Sequence, residues 1–288
     1  MSKMFDESSS NQYDVPGDPN LYCIGSITRP GLPPSERQRV VLTMLAKIGN
    51  NSASSVAANL LRSFPNIQDV MMVGIAGGVP DPANAARHVR VGDIVVSLNS
   101  GVIQYDMIKL SRGGLEIRDT SQPPSARLIQ FAKLLEANRL QGIRPWEKYI
   151  AQTCPTIENS RRPSEELDVL MSDEVPAQRV GHPQDPDRIP GQPRVHYGNI
   201  ASANTLLKDP GKRDQLRRDF NVLAVEMEGS GIADGTWIAG AQYVLIRGVC
   251  DYCDSYKNDV WQNYAAVAAA AYCRALIEAL PKFDPSVG

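Results

Sequence analysis

The feature that most constrains the fold is a pair of apolar runs that each close on a carboxylate. Val222-Leu-Ala-Val-Glu-Met-Glu-Gly-Ser-Gly-Ile-Ala-Asp234 is followed by Val244-Leu-Ile-Arg-Gly-Val-Cys-Asp251. Both runs read as strands of the buried type, apolar on both faces and therefore covered by helices. Ligands of open α/β sheets collect at the carboxyl ends of the strands, which places Glu228 and Asp251 where a site would form.

The rest of the chain repeats the alternation. A strand from Arg39 leads through a turn to a helix over Ser52 to Phe64, which carries Val56, Leu60, Leu61 and Phe64 on one face. The run Val70-Met-Met-Val-Gly-Ile-Ala76 then ends in Gly77-Gly78, where missing Cβ atoms let a ligand approach the backbone. His88 to Ser97 reads as two strand pieces joined at Gly92-Asp93. A helix over Ala126 to Leu140 precedes a Pro-rich insertion at about 141–193, with prolines at 145, 155, 163, 176, 183, 186, 190 and 193. An irregular stretch of that length reads as a lid, an arm or a disordered segment, and no core role is expected of it. The alternation resumes with strand 194–202, helix 210–218, strand 222–227, a helix to about Trp237, strand 242–249 and a last helix over 259–280. Together these predict a three-layer α/β/α sandwich around a mixed, largely parallel sheet. Residues 1–20 read as a disordered polar tail, and 21–288 as one domain.

Composition narrows the partners. With 30 Lys and Arg against 32 Asp and Glu, interspersed along the chain, the net charge of -2 suggests neither a nucleic-acid track nor a membrane surface. The longest near-apolar run, Tyr264 to Cys273, is too short to span a bilayer, which takes about 20 residues. Five scattered cysteines argue against a disulfide framework and for the reducing cytoplasm. The Cys250-Asp-Tyr-Cys253 pair has no second pair, and the chain has only three histidines, so no metal is expected.

The V-E-M-E-G…R-G-V-C-D block, with Gly74-Ile-Ala-Gly-Gly-Val-Pro80 and Gly101-Val-Ile-Gln-Tyr-Asp106, resembles the purine nucleoside phosphorylase and methylthioadenosine/S-adenosylhomocysteine nucleosidase superfamily. The resemblance runs from about Val40 to Leu280, outside the insertion. Its details look most like the bacterial branch found in antiphage and signalling proteins, some members of which hydrolyse adenine nucleotides. Cleaving a purine N-glycosidic bond requires protonating the base and stabilising an oxocarbenium-like sugar. The resemblance gives the first task to Asp251, a carboxyl at an apolar strand end where desolvation favours the protonated form. It makes Glu228 the acceptor for the ribose hydroxyls and lays Met227 against the sugar. Gly77, Gly78, Ser202 and Asn204 would line the ligand. The plainer readings are an N-cap role for Glu228 and a loop carboxylate for Asp251. Glu226 and Arg247 read as a supporting ion pair, and Asp254 as either a loop-holding or a helix-start residue.

Two departures matter. The phosphorylases bind phosphate with an arginine at the position of Met72, so water is the expected nucleophile here. The family's opening strand and its base-bearing acidic loop are not evident; Glu36 is the nearest carboxylate, with a solvated loop role as the plainer reading. A nucleotide substrate would need cations at the pocket mouth, for which Arg29, Arg37, Arg87, His88 and Arg90 are available, Arg87 and Arg90 foremost. For any single one of them, solvated surface is the plainer reading. The expected function is hydrolysis of adenine nucleosides or nucleotides, ATP included, by a cofactor-free homo-oligomer. The alternatives are a phosphate-dependent phosphorylase and a degenerate nucleotide-sensing domain.

Overall fold

The computed structural model describes residues 1–8, 13–33, 36–112, 114–118, 123–172, 175, 178–256 and 258–281. The N-terminal part forms β1 (Glu7–Ser8), β2 (Tyr13–Asp14), β3 (Leu21–Thr28), β4 (Arg37–Thr43), α1 (Asn50–Ser63) and β5 (Asp69–Gly78). Next come β6 (Ile94–Gln104), the hairpin β7 (Ile108–Ser111) and β8 (Gly114–Ile117), α2 (Ala126–Leu140) and α3 (Pro145–Thr153). The short strands β9 (Leu170–Met171) and β10 (Arg179–Val180) precede β11 (Val195–Ser202) and α4 (Pro210–Phe220). The chain finishes with β12 (Val222–Glu226), α5 (Gly229–Ile238), β13 (Gln242–Asp251) and α6 (Gln262–Ala279).

Five strands close on themselves in the order β11-β12-β5-β13-β6. The pairs β11–β12, β11–β6 and β13–β5 are parallel, whereas β12–β5 and β13–β6 are antiparallel. The α/β class and the mixed, largely parallel sheet agree with the sequence reading, but the sheet is a closed barrel-like arrangement and not the middle layer of an open sandwich. Closure comes from the length of β6, whose first half meets both β13 and β11 while its second half continues along β11 to Ser202. β3 and β4 lie in a separate antiparallel sheet with β1 and β2. Residues 88–91 are not a strand piece: Gly92 turns at φ +85 and the strand starts at Ile94.

Close approach fixes the helix positions. The Ala-rich face of α6 lies so near β13 that a Cβ on Gly248 would sit 1.9 Å from the Ala265 carbonyl oxygen. Likewise a Cβ on Gly231 of α5 would sit 1.9 Å from the Asn50 carbonyl oxygen, which locks α5 against the start of α1.

Two expectations are corrected. The insertion contributes to the core: Trp146 is completely buried, and Tyr149, Ile150 and Leu170 join the same cluster. Pro145 stands in the first turn of α3, where its missing N–H costs nothing, and so starts the helix that carries these side chains. The first 20 residues are not a loose tail where they are described. Met4 is 2% exposed, the Phe5 ring fills the space beside Gly25, and Tyr22 donates to the buried Asp18 at 2.5 Å.

Candidate functional site

The ends of β12 and β13 flank the end of β5. Val225 pairs with Gly77 from one side and Asp251 pairs with Gly77 from the other. A side chain at position 77 would collide with the Cys253 sulfur at 2.2 Å and Asp251 Oδ1 at 2.9 Å, so only glycine fits between the two strand ends. They open on a cavity of about 1230 Å³ lined, at this end, by Gly77, Glu226, Met227, Glu228, Arg247 and Asp251.

Glu226 and Arg247 form the expected ion pair, buried to within 1% and 2% of side-chain exposure. Glu226 also accepts hydrogen bonds from the backbone N–H groups of Glu228 (2.9 Å) and Gly229 (3.0 and 2.9 Å). It thereby satisfies the free donors at the start of α5, where negative charge is favoured. Glu228 occupies the N-cap position but makes no side-chain cap bond. Released from capping, its carboxylate accepts from Gly49 N–H at 3.3 Å and lies 3.5 Å from Arg247. Burial pushes its carboxyl above the usual range, Arg247 pulls it back, and the neighbouring Glu226 adds to the rise. Arg247 reaches over the backbone of Gly74, its cross-strand partner, where a Cβ would lie 2.2 Å from the guanidinium.

Asp251 is 7% exposed and held from its own loop. Its Oδ1 accepts from Cys253 N–H at 2.9 Å, and the Cys250 thiol lies 3.2 Å from Oδ2. The first contact requires Cys253 to take φ +54, a left-handed conformation that a β-carbon makes costly by about 1–3 kcal/mol. Between these residues, Tyr252 turns the other way. Its hydroxyl donates to Asp168 Oδ1 at 2.5 Å and accepts from Val91 N–H at 3.2 Å, and its carbonyl accepts from Arg213. The loop bearing Asp251 is thus anchored to the insertion through Asp168, a connection that no local pattern in the chain announces. Asp254, 5% exposed, accepts from Tyr256 N–H and shapes the same loop.

Other expected residues lie elsewhere. Ser202 is fully buried, donating to Asn50 Oδ1 at 3.0 Å and accepting from Ser230 N–H at 3.3 Å. Asn204 is exposed, and its side-chain oxygen accepts from Asn50 N–H at 2.9 Å, so it serves the start of α1. Gly78 faces Val249 of β13 and Val89 of the loop before β6. Glu36 does not line the cavity. The placement of Arg87 and Arg90 at the pocket mouth is corrected: neither lines the cavity. Arg87 donates to the Asn221 carbonyl, and Arg90 pairs with Asp168 at 2.6 Å. For Arg90 the reason is the insertion, whose Asp168 and His182 engage this loop. His88 lies 2.8 Å from His182, and Arg188 binds the buried Asp93 at 2.8 and 2.6 Å. Burial would raise the Asp93 carboxyl, but Arg188 and then His196 outweigh it and hold it far below the usual range. Among the cations expected for phosphate, only Arg37 lines the cavity, and it is paired with Glu7.

Comparison with known proteins agrees with this architecture. Residues 35–280 match the phosphorylase superfamily. The chain is 35% identical over 276 residues to a nucleotide-binding leucine-rich repeat (NLR)-like protein of Hyaloscypha variabilis, covering 90% of this chain and 26% of that one. It is 27% identical over 231 residues to the ATP nucleosidase Cap17 of Escherichia coli, covering 80% of this chain and 39% of the relative. The chain therefore spans well under half the length of these two relatives. A 5'-methylthioadenosine/S-adenosylhomocysteine nucleosidase of Mycobacterium bovis is 24% identical over 244 residues, with 83% and 80% covered. Among solved structures, the Helicobacter pylori nucleosidase MTAN superposes with a TM-score of 0.60 at 16% identity, covering 94% of this chain and 89% of that one.

Proposed function

The chain belongs to the phosphorylase superfamily, and on that premise we propose that it is an N-ribosyl hydrolase of purine nucleosides or nucleotides, those of adenine first. The observation that carries this reading is that Asp251 and Glu228, from different segments, line one cavity on either side of Gly77.

In this mechanism Asp251 delivers a proton to N7 of the base while the C1'–N9 bond breaks and its electron pair passes to the purine. Glu228 accepts hydrogen bonds from the ribose hydroxyls, and its charge favours the cationic sugar. Arg247 and Glu226 keep that carboxylate in place without occupying it as a cap. Water then adds at C1' and loses a proton to the solvent, from which Asp251 is reprotonated. Water is preferred to phosphate because Met72 lines the cavity where an arginine would be needed, and Arg247 is committed to two carboxylates. Support for a nucleotide such as ATP comes from the similarity to Cap17, since Arg87 and Arg90 lie outside the cavity.

A second reading, a domain that binds the nucleotide without cleaving it, has one observation in its favour. Of the carboxylates lining the cavity, Glu226 is tied to Arg247 and Asp69 to Arg127, which among the described residues leaves none beyond Glu228 and Asp251 to activate water. The test is release of free adenine from adenosine, methylthioadenosine, AMP and ATP, with Asp251→Asn alongside. Hydrolysis predicts free base from at least one substrate and a loss of about 10²–10⁴ in rate for the variant, with binding retained. Saturable binding of all four without any free base would support the sensing domain, and unchanged turnover of the variant would remove Asp251 from the chemistry.

A further inference from the structure

The insertion reaches Asp251 from behind the cavity. Asp251 lines the cavity, and the next residue, Tyr252, does not. Between Val249 and Asp251, β13 carries one residue more than β5 does between Ala76 and Gly77, a bulge of the kind that re-aims a side chain. Asp251 therefore faces the cavity while the buried Tyr252 ring turns back to Val91 and to Asp168 of the insertion.

Two charged residues hold Tyr252 from different elements. Its hydroxyl donates to Asp168 Oδ1 at 2.5 Å, and its backbone carbonyl accepts from Arg213 of α4 at 2.9 Å. Both partners are buried and are themselves fixed, Asp168 by Arg90 and His182, and Arg213 by Asp214 at 2.7 Å. Burial, and then the charge of Asp168, pushes the Tyr252 hydroxyl well above its usual range, so it stays a donor. Burial would raise the Asp168 carboxyl, but His182, Tyr252 and Arg90 outweigh it and hold the group below the usual range, so it stays a charged acceptor.

The carbonyl of Tyr252 and the N–H of Cys253 belong to one planar peptide group. Arg213 at its oxygen therefore sets the direction of the N–H, which is the donor to Asp251 Oδ1 at 2.9 Å. The same turn needs Cys253 at φ +54, a conformation that persists at a residue with a Cβ only when its surroundings impose it. The bonds on Tyr252, at the hydroxyl and at the carbonyl, impose it.

We propose that Asp168 and Tyr252 are positioning residues for Asp251: with Arg213 they hold the Tyr252–Cys253 peptide in the orientation that fixes the Asp251 carboxyl in the cavity. The insertion, although outside the cavity, thereby contributes to turnover. The effect on turnover rests on the hydrolytic reading of the site; the hold on the loop does not.

The test compares Tyr252→Phe, which deletes one hydroxyl and keeps the ring, with Asp168→Ala and Asp168→Asn in the full chain. Asparagine keeps an oxygen that can accept from the Tyr252 hydroxyl, and alanine does not. Amide exchange is read by mass spectrometry over 250–256 and over 242–249, and release of adenine is followed from adenosine, methylthioadenosine, AMP and ATP. In Tyr252→Phe and Asp168→Ala the expected exchange over 250–256 is faster by about tenfold or more, with 242–249 unchanged. The expected kcat is lower by about 10- to 100-fold with KM changed by less than about twofold, and Asp168→Asn lies closer to the wild type in both readouts. Unchanged exchange over 250–256, or equal acceleration of both segments, would overturn the proposal. So would an unchanged kcat in these variants where Asp251→Asn loses turnover. If the wild type releases no base, the hydrolytic reading fails separately and exchange decides: selective loosening of 250–256 supports the hold on the loop, and its absence overturns it.

Discussion

Glu228 and Glu226 stand two residues apart and have opposite tasks. Glu226 takes the helix cap and the strong ion pair, and Glu228 is left with backbone donors at Gly49 and Met227 and a longer approach to Arg247. On the proposed reading, that makes Glu228 the carboxylate open to ribose hydroxyls. Glu228→Gln should therefore weaken both binding and turnover of a riboside, yet change little for a 2',3'-dideoxy analogue; matched kinetics on the two substrates check this, and equal losses would mean a structural role. Arg87 and Arg90 stand in contrast. Because they hold Asn221 and Asp168 and do not line the cavity, Arg87→Ala with Arg90→Ala should leave the ratio of ATP to methylthioadenosine cleavage unchanged and lower the denaturant midpoint. A selective loss of ATP cleavage would return them to the substrate. In sequence, the two carboxylates were legible from their position after apolar runs. The division of labour between Glu226 and Glu228 was not, because it depends on which side chain reaches the N–H groups at the start of α5. The basic loop misled for the same reason: its arginines answer distant groups, Arg90 the Asp168 carboxylate 78 positions on and Arg87 the Asn221 carbonyl.

At the scale of elements, the strands β5, β12 and β13 and the helices α2 and α6 follow directly from apolar runs and punctuation, which are local signals. The insertion did not. Its prolines read as loop, although Trp146, Tyr149 and Ile150 after Pro145 carry the i, i+3, i+4 spacing of an amphipathic helix. What docks the remainder is a buried set of polar groups around His88, which faces His182, Arg188, Arg90 and Asp81. Burial, followed by the charge of His182, lowers the His88 imidazole from 6.5 to about 4. A depressed histidine contributes stability that is fully present above pH 6.5 and is lost as pH falls towards 4, up to roughly 3 kcal/mol from that shift. Denaturant unfolding at pH 7 and pH 4.5 should show a larger loss for the wild type than for His88→Gln. Parallel losses would mean that His88 is not the group that titrates.

For the molecule as a whole, barrel closure brings β5 between the two strands that bear the site, and the helices α5 and α6 are held by contacts that only glycine permits at 231 and 248. The closure was not legible because pairing of β6 with both β11 and β13 is a matter of long-range register, which no local period encodes. Family membership was legible, since the block around Glu228 and Asp251 lies in continuous sequence. What this architecture does chemically turns on the nucleophile. The most direct measurement is release of free purine from adenosine, methylthioadenosine, AMP and ATP, followed with and without inorganic phosphate, with the sugar product identified. Hydrolysis predicts the same rate in both conditions and free ribose, or its 5'-substituted form, as product; strict dependence on phosphate with a ribose 1-phosphate product would contradict it.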